Sequence, residues 1–112
     1  MLTRTEGLRD MTPEGKVKLK VKKLLTEAGA YQHWPVQTGY GVPCLDCHAC
    51  IFGRYVGIET KALGKKPTVR QNKTIADIKD SYGLTLVIDG DTTALENLIK
   101  ELRNDYLKAE DS

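Results

Sequence analysis

Two strand-like runs, CLDCHACIF and RYVGIETKAL, meet at Gly53, and this junction constrains the fold more than any other stretch. A glycine between two such runs supplies the backbone freedom of a tight turn, so the pair reads as a β-hairpin. The second run contains an anomaly. Glu59 and Lys61 stand two residues apart in VGIETKALGKK, an otherwise apolar stretch. A surface strand can carry such a pair at no expense, because alternate residues face water. A metal-dependent active site can also require it.

The segments around the hairpin alternate in period. Residues 12–29 give a helix: Thr12 is a candidate N-cap, Pro13 suits the first helical position, and Gly29 suits the stop. Val17, Val21, Leu24, Leu25 and Ala28 fall on one face, with the lysines mostly outside and Glu14 near the inward side of the first turn. Residues 31–39 read as an edge strand interrupted by Pro35. Residues 68–83 form a second helix, capped by Thr68 and stopped near Gly83, with Gln71, Ile75 and Ile78 on one face. LTLVIDG follows as a buried strand. Asp91 or Thr92 then caps a last amphipathic helix whose Leu95, Leu98, Ile99, Leu102 and Tyr106 face inward. The order is helix, three strands, helix, strand, helix, an α/β domain built around one sheet.

The 112 residues suffice for one core, so 1–112 is a single domain: 1–11 flexible, 12–90 the catalytic core, 91–109 the C-terminal helix. No run approaches a membrane span, and the first residues lack a signal-peptide core, so the chain is expected in the cytoplasm. The net charge of +2 diagnoses no partner, but GKVKLKVKK and KALGKKPTVRQNK concentrate lysine and arginine in two clusters that would suit a phosphate backbone. Solvated helix faces and a loop are the bland alternative. Three cysteines, Cys44, Cys47 and Cys50, argue against a disulfide scaffold in a chain with no secretion signal. With His48 or His33 they suggest a zinc knuckle, but no second ligand pair arrives from a distant segment.

Strand alternation puts Tyr55, Gly57, Glu59 and Lys61 on one face and Val56, Ile58 and Thr60 on the other. Asp46 is the acid of the preceding run, seven positions before Gly53, while Glu59 lies six after it, so the two become near cross-strand partners. Partners on one face have Cβ atoms about 5 Å apart. Two carboxylates at that distance repel unless a cation joins them, and a hard ion such as Mg²⁺ prefers oxygen donors. Lys61 would then orient a metal-bound water or neutralise a phosphate. Gln71 would assist from the next helix, and Glu14 would approach from the first.

GVPCLD, GIETK and KKPTVRQ, in that order, resemble the PD-(D/E)xK nuclease superfamily, and more narrowly its VRR-Nuc family of small, often phage-encoded, standalone endonucleases. The likeness runs from about Thr12 to Gly90. It implies a restriction-endonuclease-like fold, a mixed central sheet flanked by helices in the order αβββαβ plus a C-terminal helix. It implies Mg²⁺ or Mn²⁺ as cofactor, with Asp46 and Glu59 as metal-binding acids, the Thr60 backbone carbonyl as a further ligand, and Lys61 as the catalytic lysine. Gln71 matches the helix glutamine, and Glu14 resembles the glutamate of the family's first helix. One departure is visible: Cys44 and Leu45 separate Pro43 from Asp46, where the family has an adjacent proline-aspartate pair. The implied activity is DNA phosphodiester hydrolysis by a Holliday junction resolvase-like homodimer acting on branched DNA, with Lys65, Lys66, Arg70 and Lys73 on the phosphate backbone.

Two other classes compete. One is a DNA-binding module whose metal site is vestigial. The other is a small zinc-binding interaction protein using Cys44, Cys47, Cys50 and a histidine.

Overall fold

The computed structural model describes residues 12–36 and 44–111. The flexible tail expected for residues 1–11 and Pro43 of the GVPCLD motif lie outside them. Seven elements follow in the expected order: α1 (Pro13–Glu27), β1 (Tyr31–His33), β2 (Cys47–Ile51), β3 (Arg54–Thr60), α2 (Val69–Asp80), β4 (Leu84–Ile88) and α3 (Thr93–Glu110).

The sheet runs β1-β2-β3-β4. β1 and β2 are antiparallel, as are β2 and β3, whereas β4 joins β3 in parallel. A parallel neighbour cannot be reached by a tight turn, and α2 supplies the required crossover. The hairpin closes on Phe52 and Gly53 between the paired Ile51 and Arg54, with φ of 47° and 83°. Positive φ at both loop residues is the primed turn whose twist suits paired strands. Gly53 accepts that conformation freely; Phe52 does not, and its ring is seated against Tyr106 of α3 at 5.7 Å between centroids.

The core lies on one face of the sheet. Cys47, Ala49, Ile51, Val56, Ile58 and Ile88 pack there with Val17, Val21 and Leu25 of α1 and Leu95 and Leu102 of α3. Each large side chain so buried stabilises by about 1.5–3 kcal/mol. Side-chain bonds mark two helix starts: Thr12 Oγ1, the N-cap of α1, accepts from the Gly15 N–H at 3.0 Å, and Asp91 Oδ1, one residue before the α3 N-cap Thr92, accepts from the Thr93 N–H at 2.9 Å.

On the other face α2 crosses above Gly57. A Cβ there would stand 2.9 Å from Leu45 Cδ1 and 3.2 Å from Ile78 Cδ1, so the missing side chain is what lets the helix approach.

Several expectations need correction. β1 ends at His33, well before Gly39. β2 starts at Cys47, leaving Asp46 on a bend ahead of the strand, and β3 stops at Thr60, one residue before Lys61. β4 is not buried throughout: only Ile88 is, because β4 is the outer strand and Val87 points away from the core. Tyr106 does not face inward but is 45% exposed. No residue of α2 is buried, so its apolar face is only half covered.

Candidate active site

All five residues from Val56 to Thr60 are buried, because β3 is interior to the sheet and both its faces are covered. The surface-strand reading of Glu59 therefore fails. Its side chain is 1% exposed, and Lys61, 14% exposed, brings Nζ to 3.4 Å from Glu59 Oε2. The Lys61 N–H still donates to the Ile88 carbonyl at 2.9 Å, so pairing with β4 holds the lysine in place just past the strand end.

Cys47 and Ile58 form the last pair of the β2–β3 ladder on this side, and the next would be Asp46 with Glu59. That rung is replaced by side-chain bonds. The Asp46 N–H donates to Glu59 Oε1 at 3.1 Å. Asp46 Oδ2 accepts from the Thr60 N–H at 2.9 Å and from Thr60 Oγ1 at 2.8 Å. Simple alternation does not extend back through this bend. Leu45 lies over Gly57, on the face that Glu59 shares, and the acids meet through these bonds.

The electrostatic consequence falls on Glu59. Burial is the largest influence, followed by the neighbouring Asp46 charge and a side-chain hydrogen bond with it; together they raise the Glu59 carboxyl from its ordinary 4.5 to about 7. The Asp46 N–H and the Lys61 ammonium oppose this without overcoming it. A carboxyl held near neutral pH beside a second carboxyl is a pair that a divalent cation would return to full charge. The donors are hard carboxylate oxygens, with Thr60 hydrogen-bonded to Asp46 beside them. This set fits Mg²⁺ or Mn²⁺.

The structure thus gathers Asp46, Glu59, Thr60 and Lys61. It does not gather the rest. Gln71 Oε1 accepts from the Thr68 N–H at 2.9 Å while Thr68 Oγ1 accepts from the Gln71 N–H at 3.2 Å, a reciprocal capping box. The T-x-x-Q spacing at the helix start is the signal for that occupation. Glu14 lies in the first turn of α1, and no hydrogen bond or ion pair links it to Glu59 or Lys61. A carboxylate in that turn is favoured by the helix dipole in any case. Lys65, Lys66, Arg70 and Lys73 are all exposed, with Lys73 paired to Asp77 at 3.0 Å.

His48 is a candidate neighbour of Asp46 by strand parity, but two contacts lie beyond the sequence: its pairing with Tyr55 and the Thr60 hydroxyl on Asp46. His48 Nδ1 lies 2.6 Å from Tyr55 Oη on the Glu59 face. Burial lowers the His48 pKa, with His33 adding to it. Both residues share the parity of Glu59, and that was the available signal. The Thr60 hydroxyl is the second: it holds Asp46, where only its backbone was singled out.

The zinc arrangement does not form among the described residues. No group of three histidine, cysteine or acidic side chains converges there. Cys47 points into the core, where burial pushes its thiol up to about 11, while Cys50 is exposed. No helix among the described residues is long and apolar enough to cross a membrane.

Fold and site together define an α/β domain with two acids and a lysine at the end of a central strand. No family model matches the sequence, and no curated protein does. A solved structure described as a VRR_NUC domain superposes with a TM-score of 0.62 at 17% identity, covering 83% of this chain and 92% of that one. The chain has the VRR-Nuc fold.

Proposed function

We propose that the protein is a divalent-metal-dependent DNA endonuclease that hydrolyses phosphodiester bonds, selective for branched DNA such as four-way junctions. The observation that carries this reading is the contact of Asp46 with buried Glu59, with Lys61 Nζ 3.4 Å from Glu59. Asp46, Glu59 and the Thr60 carbonyl would hold the cation, and Glu14 is left to the helix dipole. Bound there, Mg²⁺ or Mn²⁺ supplies a Lewis acid and a more acidic water.

The chain's own residues do the remainder. Thr60 fixes the Asp46 carboxylate through two hydrogen bonds, so its orientation is set before substrate arrives. The Lys61 ammonium, largely withdrawn from solvent, orients the attacking water and offsets negative charge at the phosphate. Water attacks phosphorus, one bridging P–O bond breaks, and the departing oxygen takes up a proton. Lys65, Lys66, Arg70 and Lys73 contact the phosphate backbone, and the Gln71 cap fixes the helix that presents the last two. A cytoplasmic homodimer would bring two such centres to two strands.

The test is cleavage of linear duplex, single-stranded, flap and four-way-junction DNA with Mg²⁺, Mn²⁺ or chelator. Junction cutting that needs the metal and falls at least about 100-fold in Lys61→Ala, with DNA binding retained, is the expected result. Failure to cut any substrate with either metal removes the assignment and leaves the binding module.

A further inference from the structure

We infer that α1 carries a second phosphate-binding surface, a lysine ridge that grips a DNA segment remote from the one being cut. The inference rests on the nuclease reading above.

Helix α1 holds Lys16, Lys18, Lys20, Lys22 and Lys23 against Glu14 and Glu27, so this one element is more positive than the +2 of the whole chain. The other long helix, α3, mixes its signs: Lys100, Arg103 and Lys108 stand among four acids. Solubility alone would be met by either pattern. At about 100° per residue, Lys16, Lys20 and Lys23 fall within about 60° of one another, turned away from Val17, Val21 and Leu25. All three are exposed. Among the described residues Lys16 and Lys20 make no ion pair, and Lys23 has only a loose one, 4.0 Å from exposed Glu27. The other two lysines differ. Lys18 is half-buried, and Lys22 lies over the Trp34 ring at 5.0 Å. The last turn of α1 contains no basic residue, so the ridge is not there to complement the helix dipole. A shallow cleft of about 210 Å³ beside Lys20 and Lys23, bounded by Leu24, Glu27 and Thr92, continues the surface toward α3.

From Lys16 to Lys23 the ridge is about 10 Å long, the rise of seven helical residues. That length faces about three phosphates of one strand. α1 packs on the core face of the sheet, whereas α2, which follows the Lys65–Lys66 loop, crosses the opposite face. A single short duplex seated at the cleavage site is therefore not gripped by both. The ridge fits a second stretch of backbone, as a substrate with more than one arm provides.

The test measures binding to a four-way junction and to a short duplex as a function of NaCl, with Ca²⁺ in place of Mg²⁺. The variant is Lys16→Gln/Lys20→Gln/Lys23→Gln, in a helix where glutamine propagates as well as lysine. A control, Lys79→Gln/Lys100→Gln/Arg103→Gln, removes equal charge elsewhere. The expected result is a fall of about 2 to 3 in the slope of log K against log salt for the junction, with Lys→Arg at the same positions restoring it. Short-duplex binding and cutting stay at the wild-type level, and the control changes little. An unchanged slope in a protein that still binds and cuts DNA overturns the ridge alone. Equal losses in the control, equal losses on the short duplex, or a slope change seen with RNA but not DNA also overturn it. A wild-type protein that binds no DNA overturns the nuclease reading with it.

Discussion

Replacing Glu59 by glutamine should stabilise the metal-free protein at neutral and alkaline pH while abolishing cleavage. The sign follows from the raised carboxyl. Between its ordinary 4.5 and about 7, the folded chain keeps a proton on Glu59 that the unfolded chain has released. Where the folded state binds the extra proton, stability falls as pH rises. The loss begins near 4.5 and is complete above about 7. At 1.36 kcal/mol per pH unit, a gap of this size amounts to about 3 kcal/mol. Because Glu59 is 1% exposed, solvent screening removes little of it. Glutamine keeps an Oε1 to accept from the Asp46 N–H and adds no charge beside Asp46.

Thermal melts of both proteins in chelator, from pH 4 to pH 9, read this directly. The two should agree near pH 4 and diverge to about 10 °C above pH 7, the glutamine form being higher. The difference between the proteins matters, because the lowered His48 imidazole drives the opposite trend in both: its neutral form is favoured on folding, so it adds stability as pH rises. Adding Mg²⁺ at pH 8 should raise the wild-type midpoint and leave the glutamine form unmoved. A glutamine variant less stable than wild type at pH 8, or a gap that does not grow with pH, would refute the electrostatic account.

Asp46→Asn should lower the Glu59 carboxyl toward its ordinary range, since the Asp46 charge is second only to burial in raising it; a carboxyl-carbon NMR titration reads the shift, and cleavage should be lost. Gly57→Ala should destabilise by about 1–3 kcal/mol through overpacking, and adding Leu45→Val should recover part of it, seen as non-additive melting points. Tyr82→Gly should stabilise by up to about 1 kcal/mol in urea unfolding. Tyr82 sits at φ 65° after α2, where the Tyr82 and Gly83 N–H groups bond back to the Lys79 and Ile78 carbonyls. This helix ending favours glycine at that position.

The hairpin and the meeting of Asp46 with Glu59 were legible because both depend on counting from one turn. The pairs of β2 and β3 are symmetrical about Phe52 and Gly53, so the register follows once the turn is placed. The helices were legible from period and caps, down to Thr12 and Thr68. Periodicity tells which side of an element is apolar but not how far its neighbour reaches. That reach leaves Tyr106 half exposed and β4 buried only at Ile88. The end of β2 was also beyond local reading. The bend at Asp46 is set by bonds to Glu59 and Thr60, thirteen and fourteen residues away. For Gln71 the sequence does not separate a polar residue facing a candidate site from one closing a capping box, and the structure shows the box.

The same bonds serve fold and site, and this bears on why the acids are there. Asp46 and Glu59 occupy the place of the next ladder pair, where two apolar or neutral side chains would extend the hairpin without repulsion. Buried charges usually return less stability than well-packed apolar replacements. Here the arrangement is worse than neutral in the metal-free chain, because Glu59 is driven toward its protonated form by burial and by Asp46. Lys61 reduces the penalty but is the weakest of the influences acting on Glu59. Under the proposed function, a cation that binds both carboxylates would convert the repulsion into affinity, and the destabilised pair would be a stored driving force for metal capture.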